Sequence, residues 1–240
     1  MHFKFFYQNS RLLLFGIVMS FTSSFGQTFF ISLFGPSIQF EYGLSHTSWG
    51  TIYLIGTLLS AIILTYSGSL IDYYRLNFYT YFSVLALVFS CFFISIVSGY
   101  FFLIFAVFLL RQTGQGLTSH ISVTTMARYF SEKRGTAIAI GSLGMAIGEA
   151  ILPFVVIILI SLIGWRLTYF SSSIFILFCL FPVIVLLLNG YKERFIEKIA
   201  NIPEDQISTN NNISKARSFT RAEVLKDLRF YLMVPGLMAP

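Results

Sequence analysis

The sequence is poor in charge. Only 11% of its 240 residues are Asp, Glu, Lys or Arg, against 56% that are hydrophobic. A water-soluble domain of this length needs much more polar surface, so a soluble fold is excluded as the working class. Cysteine is scarce as well. Cys91 and Cys179 both fall inside long apolar runs, which argues for small buried side chains rather than a disulfide framework. No clustered Cys, His or Asp spacing suggests a metal, and no glycine-rich loop ending in Lys would let ATP drive work from this chain. No nucleophile–base arrangement for hydrolysis is present, so the chain is not read as an enzyme and no cofactor is called for. A cleavable signal peptide is not evident, because the first apolar run is too long for an h-region and no small-residue cleavage pattern follows it.

What is abundant is uninterrupted apolar sequence. Residues 12–40, 42–71, 76–110 and 167–191 carry no charge, mean hydropathy is +0.77, and there are 28 Phe and 13 Tyr. Uncharged runs of 18 or more residues read as membrane spans. The pattern predicts an all-α transmembrane protein with helices near 11–34, 48–70, 77–97, 101–125, 135–160 and 167–189. At about 1.5 Å per residue, each is long enough to cross a hydrocarbon layer of about 30 Å. These six make a bundle over 1–189. A polar linker over 190–229 follows, and "FYLMVPGLMAP" at 230–240 reads as the truncated start of a seventh span.

The basic residues orient the spans. With the N-terminus in the cytoplasm, Arg166 alone lies outside and Arg111 lies within a span, which leaves fourteen of the sixteen Lys and Arg inside. That bias accounts for the net charge of +6 without nucleic acid, and it places the chain in an inner or plasma membrane as a multi-pass protein. Within the linker, Thr220 followed by Glu223 has capping-box spacing and could open a short amphipathic helix that re-enters the membrane.

The turn between spans 2 and 3 reads "SGSLIDYYRLN". Gly68 permits close helix approach. Asp72 can accept from free N–H groups at the start of span 3 or pair with a basic residue of a neighbouring turn, and Arg75 serves as an inside anchor. Gly68, Leu70 and Asp72 in this order resemble the gating turn of the major facilitator superfamily, with Arg75 where the family usually has Gly. "RQTGQG" in span 4, with Arg111, Gly114 and Gly116, resembles that family's Arg-x-x-x-Gly-x-Gly element in a variant spacing. Tyr129–Phe130 followed by Arg134–Gly135–Thr136–Ala137 looks like the turn into span 5 of the monocarboxylate-porter-like, organic-anion branch. Gly141, Gly144, Gly148 and Pro153 follow the glycine–proline pattern of that span. The resemblance covers roughly 10–240 and implies the amino-terminal half of a twelve-span transporter.

Charges inside a membrane cost roughly 2.5–3.5 kcal/mol on insertion scales, and they mark function first. Arg111 and Glu149 are placed by residue count at similar depth on adjacent antiparallel spans, so two readings stand. They form a buried ion pair that pins spans 4 and 5, or Arg111 attracts an anionic substrate and Glu149 releases and recaptures it as its protonation changes. His120 is a candidate proton-sensitive coupling group or, equally, a His bonded to a neighbouring helix. It is nine residues beyond Arg111, about 900° of α-helical rotation, which puts it on nearly the opposite face and argues against a single Arg–His constellation. Gln27 and Gln115 are uncharged groups that could line a cavity. Gly114, Gly116, Gly141, Gly144 and Gly148 read as helix-packing positions, and Pro153 as a kink.

The resemblance implies secondary active transport of a small organic solute, an organic anion such as a monocarboxylate in particular, with protons as a possible co-substrate and a missing carboxy-terminal bundle as partner. A non-transporting membrane scaffold, or a transporter of a drug, sugar or nucleoside, is the alternative.

Overall fold

A computed structural model describes residues 9–130 and 132–189, with Lys226 alone beyond them. The chain divides into two units, 1–191 and 192–240, and the architecture below is that of the first. The expected linker, its Thr220–Glu223 capping box and the start of a seventh span lie outside the described residues, Lys226 excepted.

Among the described residues, five helical stretches are long and apolar enough to cross a membrane: α1 (Ser10–Tyr42), α2 (His46–Asp72), α3 (Leu76–Ile96), α4 (Tyr100–Tyr129) and α5 (Arg134–Leu188). Six spans were expected; the last of the five stretches is two helices joined across a break at Gly164. The last two expected spans are one continuous stretch of 55 residues, which as a straight rod would run about 80 Å. It is not straight. At Gly164 the backbone takes φ 78° and ψ 166°, a region open to glycine and closed to side chains with a Cβ, and the chain doubles back. Before the break Gly141, Gly144 and Gly148 climb α1 past Gly16, Ile17 and Ser24. After it, Tyr169 packs on Phe34, Phe175 on Phe25, and the Leu186 carbonyl accepts from Arg11. The limb 134–163 thus runs parallel to α1 and the limb 165–188 antiparallel to it. Pro153 lies inside the first limb, whose dihedrals stay helical up to Gly164.

Lipid tails are as apolar as Leu, so what holds such helices together is close packing and interhelical hydrogen bonding rather than transfer out of water. The most buried stretches are α1 and α4 (61% of their apolar window each), and the least buried are α2 (22%) and α5 (33%). A Cβ on Gly144 would come within 1.8 Å of the Ile17 carbonyl oxygen, so the first limb of α5 and α1 meet backbone to backbone. Ser122 of α4 donates to the Gly16 carbonyl of α1 (2.8 Å) and accepts from Ser20 (2.9 Å).

The ends are clasped by charge. Where α1 begins, Arg128 of α4 pairs with Asp72 and reaches the Ile71 carbonyl, tying the 68–72 turn to α4. At the opposite end, Glu41 of α1 accepts from Arg166 Nη2 (2.7 Å) and Trp165 Nε1 (2.5 Å). Arg166 also donates to the Ser95 carbonyl and the Tyr42 hydroxyl.

Among the described residues, Tyr169 is the largest of the fully buried side chains. Its ring stacks on Phe34 with centroids 3.9 Å apart, while its hydroxyl has no hydrogen-bond partner among those residues. Deleting a desolvated, unsatisfied hydroxyl removes a cost of about 1–3 kcal/mol. Tyr169→Phe is expected to raise the melting temperature of the full chain in detergent. Tyr169→Ala, which leaves a cavity, is expected to destabilise by about 3–5 kcal/mol in the same measurement.

Candidate functional site

Two interruptions face each other halfway along the bundle. In α1 the α-helix gives way to a 3-10 turn at Ser24–Gly26, Gln27 is extended (φ −77°, ψ 157°), and a second helix starts at Thr28. In α4 the residues Arg111–Thr118 form a π-helical segment. They meet at glycines: a Cβ on Gly26 would lie 2.2 Å from the Leu110 carbonyl oxygen and 2.6 Å from Gly114 Cα. Only a pair without side chains allows this crossing. π-turns concentrate at functional sites, and interrupted membrane helices are where transporters build binding sites.

Arg111 sits in this crossing. It is 8% exposed and is the only charged side chain among the buried described residues. Its Nη1 donates to Thr28 Oγ1 (3.0 Å), and the guanidinium lies 5.5 Å from the ring centroid of Tyr53, within cation–π range. The Tyr53 hydroxyl also donates to Thr28 Oγ1 (2.9 Å), while Arg111 Nε has no partner among the described residues. Among the described residues the ion pairs are Arg128–Asp72 and Arg166–Glu41. The buried guanidinium has no carboxylate.

The expected Arg111–Glu149 pair is therefore not formed. Counting residues set both groups at one depth, but depth does not fix the direction a side chain takes from its helix. Gly148 packs on Ser24 of α1. One residue is about 100° of rotation, and Glu149 leaves the bundle to an exposed position.

His120 also departs from expectation. Its ring lies against Gly68 of α2, with Cδ2 and Nε2 each 3.8 Å from a Cβ built there, and Nε2 is 3.4 Å from Thr124 Oγ1. Arg111 also faces α2, through Tyr53. Opposite faces were expected from α-helical rotation, but the π segment between them uses wider i→i+5 turns, so the rotation lags behind that period. The two groups remain apart in depth, by nine residues along α4 or about 13 Å of helix.

Of the glutamines, Gln27 is buried at the α1 break and Gln115 Oε1 is buried without a partner. Gln112 clamps α2 by accepting from Ser60 (3.1 Å) and donating to Ser67 (2.7 Å). In the turn, Gly68 is buried, Leu70 and Arg75 are exposed, and Asp72 takes the neighbouring-turn option. Gly116 meets Leu64 of α2, and Gly141 meets Met126.

Sequence reasoning missed Thr28, Tyr53, Gln112 and Glu41. The α1 break had a legible signal, the cluster "TSSFGQT" at 22–28, which is turn-like in composition but was submerged in a hydropathy window. Thr28 and Tyr53 had none, since lone polar groups in apolar runs declare nothing until a cation is placed beside them. Among the described residues, no group of three or more His, Cys, Asp or Glu could hold a metal.

None of the curated proteins matches this chain. The model of the Major Facilitator Superfamily matches residues 16–239, a span that takes in the interrupted α1, the 68–72 turn, the Arg111 crossing and the glycine face of α5. The chain belongs to the major facilitator superfamily.

Proposed function

We propose that this protein is the six-span amino-terminal half of a secondary transporter that moves a small organic anion, such as a monocarboxylate, by alternating access. In this reading the two limbs of α5 count as separate spans and residues 230–240 begin a seventh. The bundle rocks against a second one around a site at mid-membrane depth, and the end carrying Arg11, Arg128 and Arg134 faces the cytoplasm. The observation that carries the reading is Arg111: a buried cation at the centre of a membrane bundle with no carboxylate beside it among the described residues. An unpaired charge there is expensive, and an anionic cargo supplies the missing partner on each cycle. Glu149, exposed at the level of the α1 break, is the group proposed to bind and release a proton.

The test is uptake of labelled organic anions into proteoliposomes containing the full chain encoded by the gene, with and without an imposed proton gradient. Accumulation of a monocarboxylate that follows the gradient, and loses that dependence in Glu149→Gln, is the expected result. Uptake of sugars, nucleosides or drugs but not anions would reassign the cargo. No uptake of any class would favour a scaffold.

A further inference from the structure

We infer that the start of the second half of α1 is an anion-binding terminus, in which Thr28 donates its hydroxyl and the helix its free N–H groups to the same monovalent carboxylate that Arg111 attracts. This rests on the anion reading above and adds the residue that sets its selectivity. The helix Thr28–Tyr42 is 15 residues long, and its N-cap residue, Gln27, makes no capping bond. The first backbone bond runs from the Ile31 N–H to the Gln27 carbonyl (3.1 Å), which leaves the N–H groups of Thr28, Phe29 and Phe30 without intrahelical acceptors. In water such groups are solvated. Here they lie midway along a membrane-length stretch, at the positive end of a helix dipole worth about half a charge.

Arg111 makes the electrostatics of that terminus one-sided. A guanidinium that is more than nine-tenths buried donates to the first residue of the helix and, among the described residues, has its Nε unpartnered and no carboxylate within ion-pair distance. A full positive charge against a positive helix end is repulsive, and an anion bound between them relieves both.

Thr28 completes the geometry. A hydroxyl oxygen has two lone pairs and one proton. Thr28 Oγ1 accepts from both Arg111 Nη1 (3.0 Å) and the Tyr53 hydroxyl (2.9 Å), so both lone pairs are engaged and the O–H is left to donate. The side chain is exposed, so that donor is open to a ligand. Two donors feeding one hydroxyl also polarise it, which strengthens the bond it gives. One buried cation plus a partial dipole balances one negative charge and leaves a second uncompensated.

Propionate and malonate have three carbons each and differ by one carboxylate. Equilibrium dialysis of labelled propionate against the full chain in lipid nanodiscs, with malonate and chloride as competitors, is the test. Propionate is expected to bind at least tenfold more tightly than malonate and to resist chloride at equal concentration. Thr28→Val is expected to weaken propionate about tenfold, Thr28→Ser to restore it to within about twofold, and Arg111→Gln to abolish it. Unchanged affinity in Thr28→Val with loss in Arg111→Gln would overturn this inference and leave the anion reading standing. No propionate binding by the unaltered chain would overturn both. Malonate preference or equal displacement by chloride, each read on the unaltered protein, would overturn the assignment to a monovalent carboxylate even if the variants failed to fold.

Discussion

Arg111→Gln is expected to lower anion uptake by the full chain on the order of 100-fold while leaving its melting temperature unchanged or higher. The two readouts move in different directions for one physical reason. A buried guanidinium whose Nε finds no partner and which has no carboxylate nearby among the described residues is a cost to the folded bundle, and a neutral amide of shorter reach removes it. The same charge is what an anion gains on entering, and losing a charge-assisted contact in a desolvated site is worth about 2–5 kcal/mol. Arg111→Lys keeps the charge but loses the planar fork over the Tyr53 ring and the bond to Thr28, and an intermediate loss is expected. Uptake assays paired with melting curves of the same preparations check this. A fall in stability as large as the fall in uptake would mean that Arg111 is a structural group whose partner was overlooked.

Gly144→Ala has the second large effect, on folding. The atoms that a Cβ would meet are the Ile17 carbonyl oxygen at 1.8 Å, the Ile17 carbonyl carbon at 2.7 Å and the Phe21 nitrogen at 2.8 Å. All three are backbone, so no side chain can swing aside, and α5 must separate from α1 along the contact that Gly141 and Gly148 share. Overpacking of this kind costs about 3 kcal/mol or more, which corresponds to roughly 10 °C in melting temperature for a chain of this size. The expected outcome is a sharp drop in folded yield from membranes and a lowered melting temperature. Gly135→Ala is the control: nothing lies within 4 Å of a Cβ there, and stability should not change. Equal behaviour of the two variants would refute the backbone contact.

The bundle's helices were legible because a membrane leaves the chain little choice. Every backbone polar group in the hydrocarbon must be satisfied internally, so a long uncharged run becomes a helix. The run at 76–97, expected as 77–97, is the helix Leu76–Ile96. The turn at 68–72 was legible too, because Asp72 and its neighbours are the only charges between two greasy runs. Boundaries failed where polar residues are tolerated inside a span: α1 continues to Tyr42, through Gln39 and past Glu41, which clasps Arg166. The fold at Gly164 was expected only as a short gap between two spans, and one glycine with positive φ suffices to reverse the chain.

The candidate site was half legible. Arg111 declared itself as a charge in an apolar run, and the glycines of α4 and α5 declared close approach. What surrounds Arg111 did not. Thr28 is 83 residues away in sequence, and neither it nor Tyr53 differs in the sequence from a dozen other hydroxyl residues in the spans. The rotational prediction for His120 failed because the period of α4 changes at Arg111–Thr118, and no residue pattern announced the π segment.

Composition and charge placement alone determined that this chain is a helical membrane protein with one deeply placed cation, because solvation in lipid acts on residues one run at a time. Tertiary structure decided which partners that cation has, that Glu149 is not one of them, and that a broken α1 delivers Thr28 and a free helix terminus beside it. Those facts depend on the rotation of each helix about its axis, which is set by backbone contacts between glycines far apart in the chain.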